Sequence, residues 1–262
     1  MIQTIRNAWK VPELRGKLLF TVFALLIFRL GSAIPVPFID TKMLSDYMTA
    51  QSASIFGLLN VMSGDAFAQA TVFALSIQPY INSSIIIQLL TIAIPALERL
   101  QKEGGEEGKK KLAAITRYAT VGIALIQAFG FYTMLRVGSN GSSFLATDNI
   151  WAAFVIIAAF VAGSAFLMWL GEQITEFGIG NGISIILFAG IVARGPSMVG
   201  SMIEGVRGWI AKSDPTHYLV LHPAFILLIL AGMLLLVAFI VFMDNSERRI
   251  PVQYAKRVVG RK

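Results

Sequence analysis

The sequence contains no cysteine in 262 residues, which excludes disulfide frameworks, thiolate metal centres and cysteine nucleophiles. Histidine is almost absent as well. The two present, His217 and His222, have no carboxylate or thiol beside them, so they do not make a metal site. Charged residues are only 14% of the chain, whereas 56% are hydrophobic, and the mean hydropathy is +0.70. This is the composition of a polytopic membrane protein rather than of a soluble core. The N-terminal MIQTIRNAWKVPELRGK is too polar for a signal peptide, and no small-residue cleavage pattern follows the first apolar run. That run is expected to stay as an anchor.

Six apolar runs are present, at about 18–36, 71–94, 113–135, 150–170, 183–200 and 219–243. Each is long enough, alone or with its flanks, to be read as a transmembrane helix. The chain therefore reads as one all-α membrane domain over 1–262. Sixteen of the 22 basic residues lie at the N-terminus (Arg6, Lys10, Arg15, Lys17), around the loop 98–112 (Arg99, Lys102, Lys109, Lys110, Lys111, Arg117) or in 244–262. The positive-inside rule places these segments, and both termini, in the cytoplasm, with 171–182 as a further cytoplasmic loop. Arg29, near the far end of the first run, either snorkels to the interface or partners a buried polar group.

One stretch departs from plain spans. IFGLLNVMSGDAFAQATVFALSIQPYINSSIIIQLLTIAIPAL, residues 55–97, is apolar but interrupted at Ser63-Gly64-Asp65 and again at Gln78-Pro79 and Asn82-Ser83-Ser84. An unpaired backbone group in lipid costs several kcal/mol, so such a break must face protein or a water-filled cavity. It marks a pore or a binding site. The stub Ile55 to Met62 is far below the roughly 20 residues a span requires, so it is expected to fold back.

Some chemistry is missing from the runs. No Asp or Glu falls inside them as drawn, which leaves no proton relay or carboxylate cage for a driving ion. GIGNG at 178–182 is preceded by no strand and followed by no lysine, so it reads as the start of a helix rather than a phosphate loop. Gly163, Ser164 and Ala165 are small residues suited to close helix packing. Asn140-Gly141-Ser142 is a formal glycosylation acceptor. Nothing proposes an enzyme or a cofactor.

Five motifs carry a resemblance: FRLGSAIPVPFID (28–40), IQPYINSSIIIQLL (77–90), ERLQKEGGEEGKKK (98–111), WLGEQITEFGIGNGISII (169–186) and ERRIPVQYAKRVVGRK (247–262). Through them the chain resembles the N-terminal part of the SecY family, the protein-conducting channel subunits of the bacterial Sec translocon. The resemblance implies half of an inverted-repeat channel, with a re-entrant plug helix over about 55–68, including Ile55, Phe56, Leu58, Leu59, Val61 and Met62. It implies a pore ring to which Ile77, Ile81 and Leu187 contribute, although the family usually has isoleucine at the position of Leu187. It also implies a lateral gate on the second span. There Asn82, Ser83, Ser84 and Gln88 either make polar contacts across the seam or hydrogen-bond within the bundle. Arg248, Arg249, Lys256, Arg257, Arg261 and Lys262 would lie in a cytoplasmic loop that meets the SecA motor or the ribosome, or they serve as a lipid-facing topology signal.

Other partners implied are the small subunits SecE and SecG, signal sequences, nascent polypeptides and membrane lipid, in the bacterial cytoplasmic membrane. Family members have ten spans and this sequence has six. The expectation is a fragment or split channel whose remaining spans come from the same gene product or a second chain. Two other classes stay open: a broken-helix secondary transporter and a structural membrane subunit without a pore.

Overall fold

Pro12 opens the first helix of the computed structural model, at a position where a fixed φ and a missing N–H cost nothing. The described residues are 11–50, 54–102, 104–138, 143–210 and 223–247. They fall into two units divided after Gly195. Helix is the only extended regular structure among them, beside two isolated antiparallel bridges, Pro35 with Thr71 and Ile39 with Leu145.

The first unit holds eight helices. These are α1 (Pro12–Gly31), α2 (Thr41–Ala50), α3 (Ile55–Ser63), α4 (Gln78–Ala93), α5 (Pro95–Lys102), α6 (Gly105–Val137), α7 (Ile150–Phe177) and α8 (Gly182–Ala193). The second holds α9 (Gly195–Ile210) and α10 (Pro223–Asp244). In the first unit α6 packs on α4, α5 and α7, α7 packs on α1 and α8, and α3 packs on α8.

Two apolar cores fill that unit. In one, Phe67, Phe131 and Phe160 form a ladder with ring centroids 4.5 Å and 5.1 Å apart, surrounded by Val36, Leu44, Leu135 and Ile156. In the other, Phe28 stacks on Phe73, and Ile77, Leu167, Ile174 and Ile186 close around them. The outer faces are as apolar as the cores: Ile92 is 79% exposed, Ile126 71% and Trp151 73%. An aqueous surface would not carry this much exposed hydrocarbon, whereas lipid solvates it.

Four helical stretches are long and apolar enough to cross a bilayer: Gly105–Val137, Ile150–Phe177, Gly182–Ile210 and Ala224–Asp244. The bent pair Gln78–Ala93 and Pro95–Lys102 makes a fifth if counted as one span, with an angle of 101° at the break. α1 has 20 residues but carries Glu13, Arg15, Lys17 and Arg29, and does not meet the same criteria.

Helical boundaries differ from the sequence expectation in five places, one being the fifth run, expected over 183–200, where α8 ends at Ala193. The second run was expected to be helical from 71, but α4 begins at Gln78 and 64–77 is a chain of turns. The loop expected at 98–112 is instead largely helical. α5 ends at Lys102 and α6 begins at Gly105, with the tight approach of Gly104 and Gly108 to the Leu100 carbonyl permitting the turn. The loop expected at 171–182 shrinks to 178–181 because α7 continues to Phe177. Polar residues there extend a helix instead of ending it, since a 28-residue helix is about 42 Å long and outreaches a hydrocarbon core of roughly 30 Å. Finally, helix α1 covers 12–31 rather than 18–36, because Pro35 and Pro37 cannot extend it.

Candidate functional site

The irregular segment 64–77 is enclosed by protein rather than by lipid. Gly64 ends α3 in the left-handed conformation (φ 65°), which only glycine adopts without penalty. The amides of Gly64 and Asp65 then bond back to the carbonyls of Val61 and Asn60. Three buried side chains satisfy much of the rest. Asn60 accepts the Ala68 amide at 2.9 Å and donates to Asp65 at 3.0 Å, Ser63 accepts the Phe67 amide at 3.0 Å, and Thr71 donates to the Ala66 carbonyl at 3.3 Å. Beyond them, the Val36 amide bonds to Ala70 and the Val72 amide to Ile34. Asp65, Ala70 and Ser76 all have positive φ (73°, 44° and 52°), so this segment is held in a strained path that its surroundings must enforce.

α4 starts where this path ends. Pro79 lies in its first turn and Ile77 is the N-cap, with the Ile81 amide bonded to the Ile77 carbonyl at 3.2 Å. Ile81 and Leu187 are half-buried and pack on the cluster that contains Ile77 and Ile186. Ile77 itself is fully enclosed, beside Gly171 of α7 and Ile186 of α8. It therefore backs the apolar surface that Ile81 and Leu187 present. Ile183, one turn before Leu187, joins the same cluster. Its four-residue spacing repeats that of Ile77 and Ile81, which is the sequence feature that could have brought it forward.

α8 is aimed by its start. Asn181 accepts the amides of Ile183 and Ser184, Thr175 accepts the amide of Gly182, and Thr21 of α1 accepts the amide of Ile179. GIGNG is thus a helix start, as its lack of a preceding strand indicated. A side chain on Gly182 would overlap the Gly171 carbonyl, so glycine there lets α7 and α8 meet backbone to backbone.

α3 lies against α8. Phe56 and Leu59 pack on the first core, Val61 and Met62 are half-buried, and Leu58 is 61% exposed. Ile55 opens the helix, and its side chain lies outside the described structure. Between α3, the turns and helices α4 and α6 is a cavity of about 460 Å³. Its wall is mostly apolar (Phe56, Met62, Phe131, Met134), with Ser76, Gln78, Asn82 and Gln127 as polar exceptions.

The four polar residues of α4 separate in the structure. Ser83 is fully buried, and its hydroxyl lies 2.6 Å from that of Thr120 on α6 and 2.9 Å from the Tyr80 carbonyl. It binds α4 to α6 within the bundle. Asn82 and Ser84 are half-buried and Gln88 is exposed. Arg117 of α6 makes a two-pronged ion pair with Glu172 of α7, at 2.9 Å for each contact. This helical carboxylate was not expected, and it is neutralised in a partly exposed ion pair between α6 and α7 rather than free to hold an ion. Arg29 is exposed. Arg248, Arg249, Lys256, Arg257, Arg261 and Lys262, the two histidines, and Asn140 to Ser142 lie outside the described residues.

With this geometry, a family model described as SecY matches residues 71–262. The chain belongs to the SecY family. It is 44% identical to protein translocase subunit SecY of Vibrio cholerae, over 99% of this chain and 56% of that protein. It is 41% identical to the same subunit of Streptomyces scabiei, over all of this chain and 59% of that protein. The chain therefore spans just over half the length of these curated relatives. Among solved structures, Sec61 in the canine ribosome-channel complex matches with a TM-score of 0.58, at 19% identity, over 91% of this chain and 49% of that one. The shared fold is that of a helical, multi-pass membrane protein.

Proposed function

We propose that this chain forms one side of the SecY protein-conducting channel of a bacterial cytoplasmic membrane. It would conduct unfolded secretory polypeptides and release membrane helices laterally into lipid. The observation that carries the reading is the apolar surface that Ile81 of α4 forms with Ile183 and Leu187 of α8, backed by the buried Ile77 and bordering the helix against which α3 packs. A narrow aliphatic collar excludes water when closed and has no preference among side chains when a polypeptide opens it. The function is conduction without catalysis or cofactor.

In this reading α3 is the plug over about 55–68 and both termini are cytoplasmic. The six spans supply one wall, and the rest comes from sequence equivalent to the half of the relatives beyond the match. Asn82, Ser84 and Gln88, at the partly open side of α4, are the gate residues that meet an emerging signal sequence. Ser83 serves the same helix from behind by fixing it to α6. SecE, SecG, SecA or the ribosome, and nascent chains are the proposed partners, with the tail from Arg248 to Lys262 as the cytoplasmic contact. The bidentate partner of Glu172 counts against the transporter alternative, because a paired carboxylate has no free oxygen to spare for a driving ion.

Depletion of this protein in its own cell tests the function. Precursors of secreted proteins are expected to accumulate with uncleaved signal sequences, and re-expression is expected to clear them. Normal export during depletion would overturn the proposal.

A further inference from the structure

α3 is nine residues long, too short to hold its helical form by itself, so what seats it decides whether it stays. Its seat on α8 is smooth. A Cβ on Gly64 would lie 2.8 Å from the Gly190 carbonyl oxygen, and one on Gly190 would lie 2.9 Å from the Met62 carbonyl oxygen. Two glycine backbones in direct contact approach closely but interlock nothing. This glycine contact interlocks no side chains, while Phe56 and Leu59 on another face of α3 pack on the first core.

At the edge of that seat stands one charged contact. Arg194 is the C-cap of α8, and its Nε lies 3.2 Å from Asp65 Oδ1, just past the end of α3. The same carboxylate oxygen accepts from Asn60 Nδ2 at 3.0 Å. Asp65 is held in the left-handed region at φ 73°, so the carboxylate is presented by a fixed backbone and not by a free rotor. Both side chains are partly sheltered, at 28% and 38% exposure. Asp65 borders a cavity of about 330 Å³ whose lining also includes Gln69, Ser32 and Arg29, and water there can solvate its carboxylate once the pair separates.

We infer that the Arg194–Asp65 ion pair is a latch that holds α3 on α8, and that Arg194 is the positioning residue setting how often the plug leaves its seat. The inference rests on the reading of α3 as a plug. The glycine contact gives the fit and the ion pair gives the hold. A contact that is strong when seated and hydrated when broken suits a part that must close repeatedly. An ion pair of this exposure changes the opening equilibrium about fivefold rather than abolishing it.

The test is amide hydrogen exchange over residues 56–63 in the membrane-embedded, complete protein, read by mass spectrometry. Asp65→Asn keeps the left-handed backbone and the Asn60 bond but removes the charge, and is expected to speed exchange about fivefold. Arg194→Gln is expected to do at least the same, and Arg194→Lys to lie between it and the native protein. Arg194 has contacts besides Asp65, so the double variant decides. Carrying both substitutions, it is expected to exchange no faster than Arg194→Gln alone. Arg136→Ala, which breaks the exposed Arg136–Asp148 pair on α6, is the control and leaves 56–63 unchanged. Exchange across 120–135 confirms that every variant is folded.

Unchanged exchange in Asp65→Asn, or strictly multiplicative effects in the double variant, would overturn the latch. Resting ion flux through the same membranes separates the two readings. Faster exchange with raised flux supports both, whereas faster exchange with native flux keeps the latch and removes the plug role of α3.

Discussion

Replacing Gly163 by valine is expected to destabilise the folded protein severely, through an overlap that neither side can relieve. A Cβ on Gly163 of α7 would overlap the carbonyl oxygen of Val72 and lie 2.8 Å from its carbonyl carbon. Val72 has no slack. Its amide bonds to Ile34, Thr71 is fully buried, and the neighbouring Ala70 carbonyl is bonded to Val36. Overpacking in a dense core costs about 1–3 kcal/mol and more when backbone must shift, and here α7 must move away from the segment that links both cores. Loss of about 3 kcal/mol or more is a large part of a stability of roughly 5–15 kcal/mol. The measurement is the fraction of protein that stays monodisperse in mild detergent after graded heating. Gly122→Ala on α6, where nothing lies within 4 Å, is expected to leave it unchanged. Native-like stability of Gly163→Val would mean that the approach of α7 to the turns is looser than described.

Placing asparagine at Ile81 is expected to raise resting ion permeability of the complete channel by about an order of magnitude, because a hydrophobic constriction gates by excluding water. Ile81 is half-buried on the cluster of Ile77 and Ile186, so its side chain is in the wall and yet not locked inside it. An amide there offers a donor and an acceptor to water in a cluster that is otherwise aliphatic and aromatic, with the hydroxyl of Tyr80 as its polar group. Leu187→Asn is expected to act in the same direction, and Ile77→Val only weakly, since Ile77 is enclosed. Ion flux into vesicles carrying the channel measures this. A flux equal to that of the native protein in both asparagine variants would remove these residues from the seal.

Much of this architecture was legible because lipid imposes strict rules on a sequence. Apolar runs of span length and the interruption at Ser63 to Asp65 could be read directly, and the structure does put a short helix and an irregular path there. How the irregular path is satisfied could not be read. Asn60, Ser63 and Thr71 are unremarkable in sequence, and only their long-range partners reveal that they stand in for missing helical hydrogen bonds. The start of α4 at Gln78 was hidden for the same reason. Residues 71–77 are apolar enough for a helix, but the bridge of Thr71 to Pro35 and the positive φ of Ser76 prevent one. Polarity misled at 98–112 and 171–182, where charged and glycine residues lie within helices that extend past the apolar layer.

Within the candidate site, Ile77, Ile81 and Leu187 were named from the family resemblance and Ile183 was not, and nothing in the sequence told that Ile77 is the enclosed member. Ser83 illustrates a further limit. Four polar residues in seven positions of one helix look equivalent in sequence, yet only Ser83 meets the hydroxyl of Thr120, and that pairing depends on the register between α4 and α6.

The most direct measurement is photocrosslinking to a secretory chain stalled in transit, with the photoreactive residue at position 81 and a control at Ile92, which is 79% exposed. The channel account predicts strong crosslinks from position 81 along the length of the stalled chain, and none from position 92 to its hydrophilic part. Equal labelling from both positions, or none from position 81 while the chain is being exported, would contradict it.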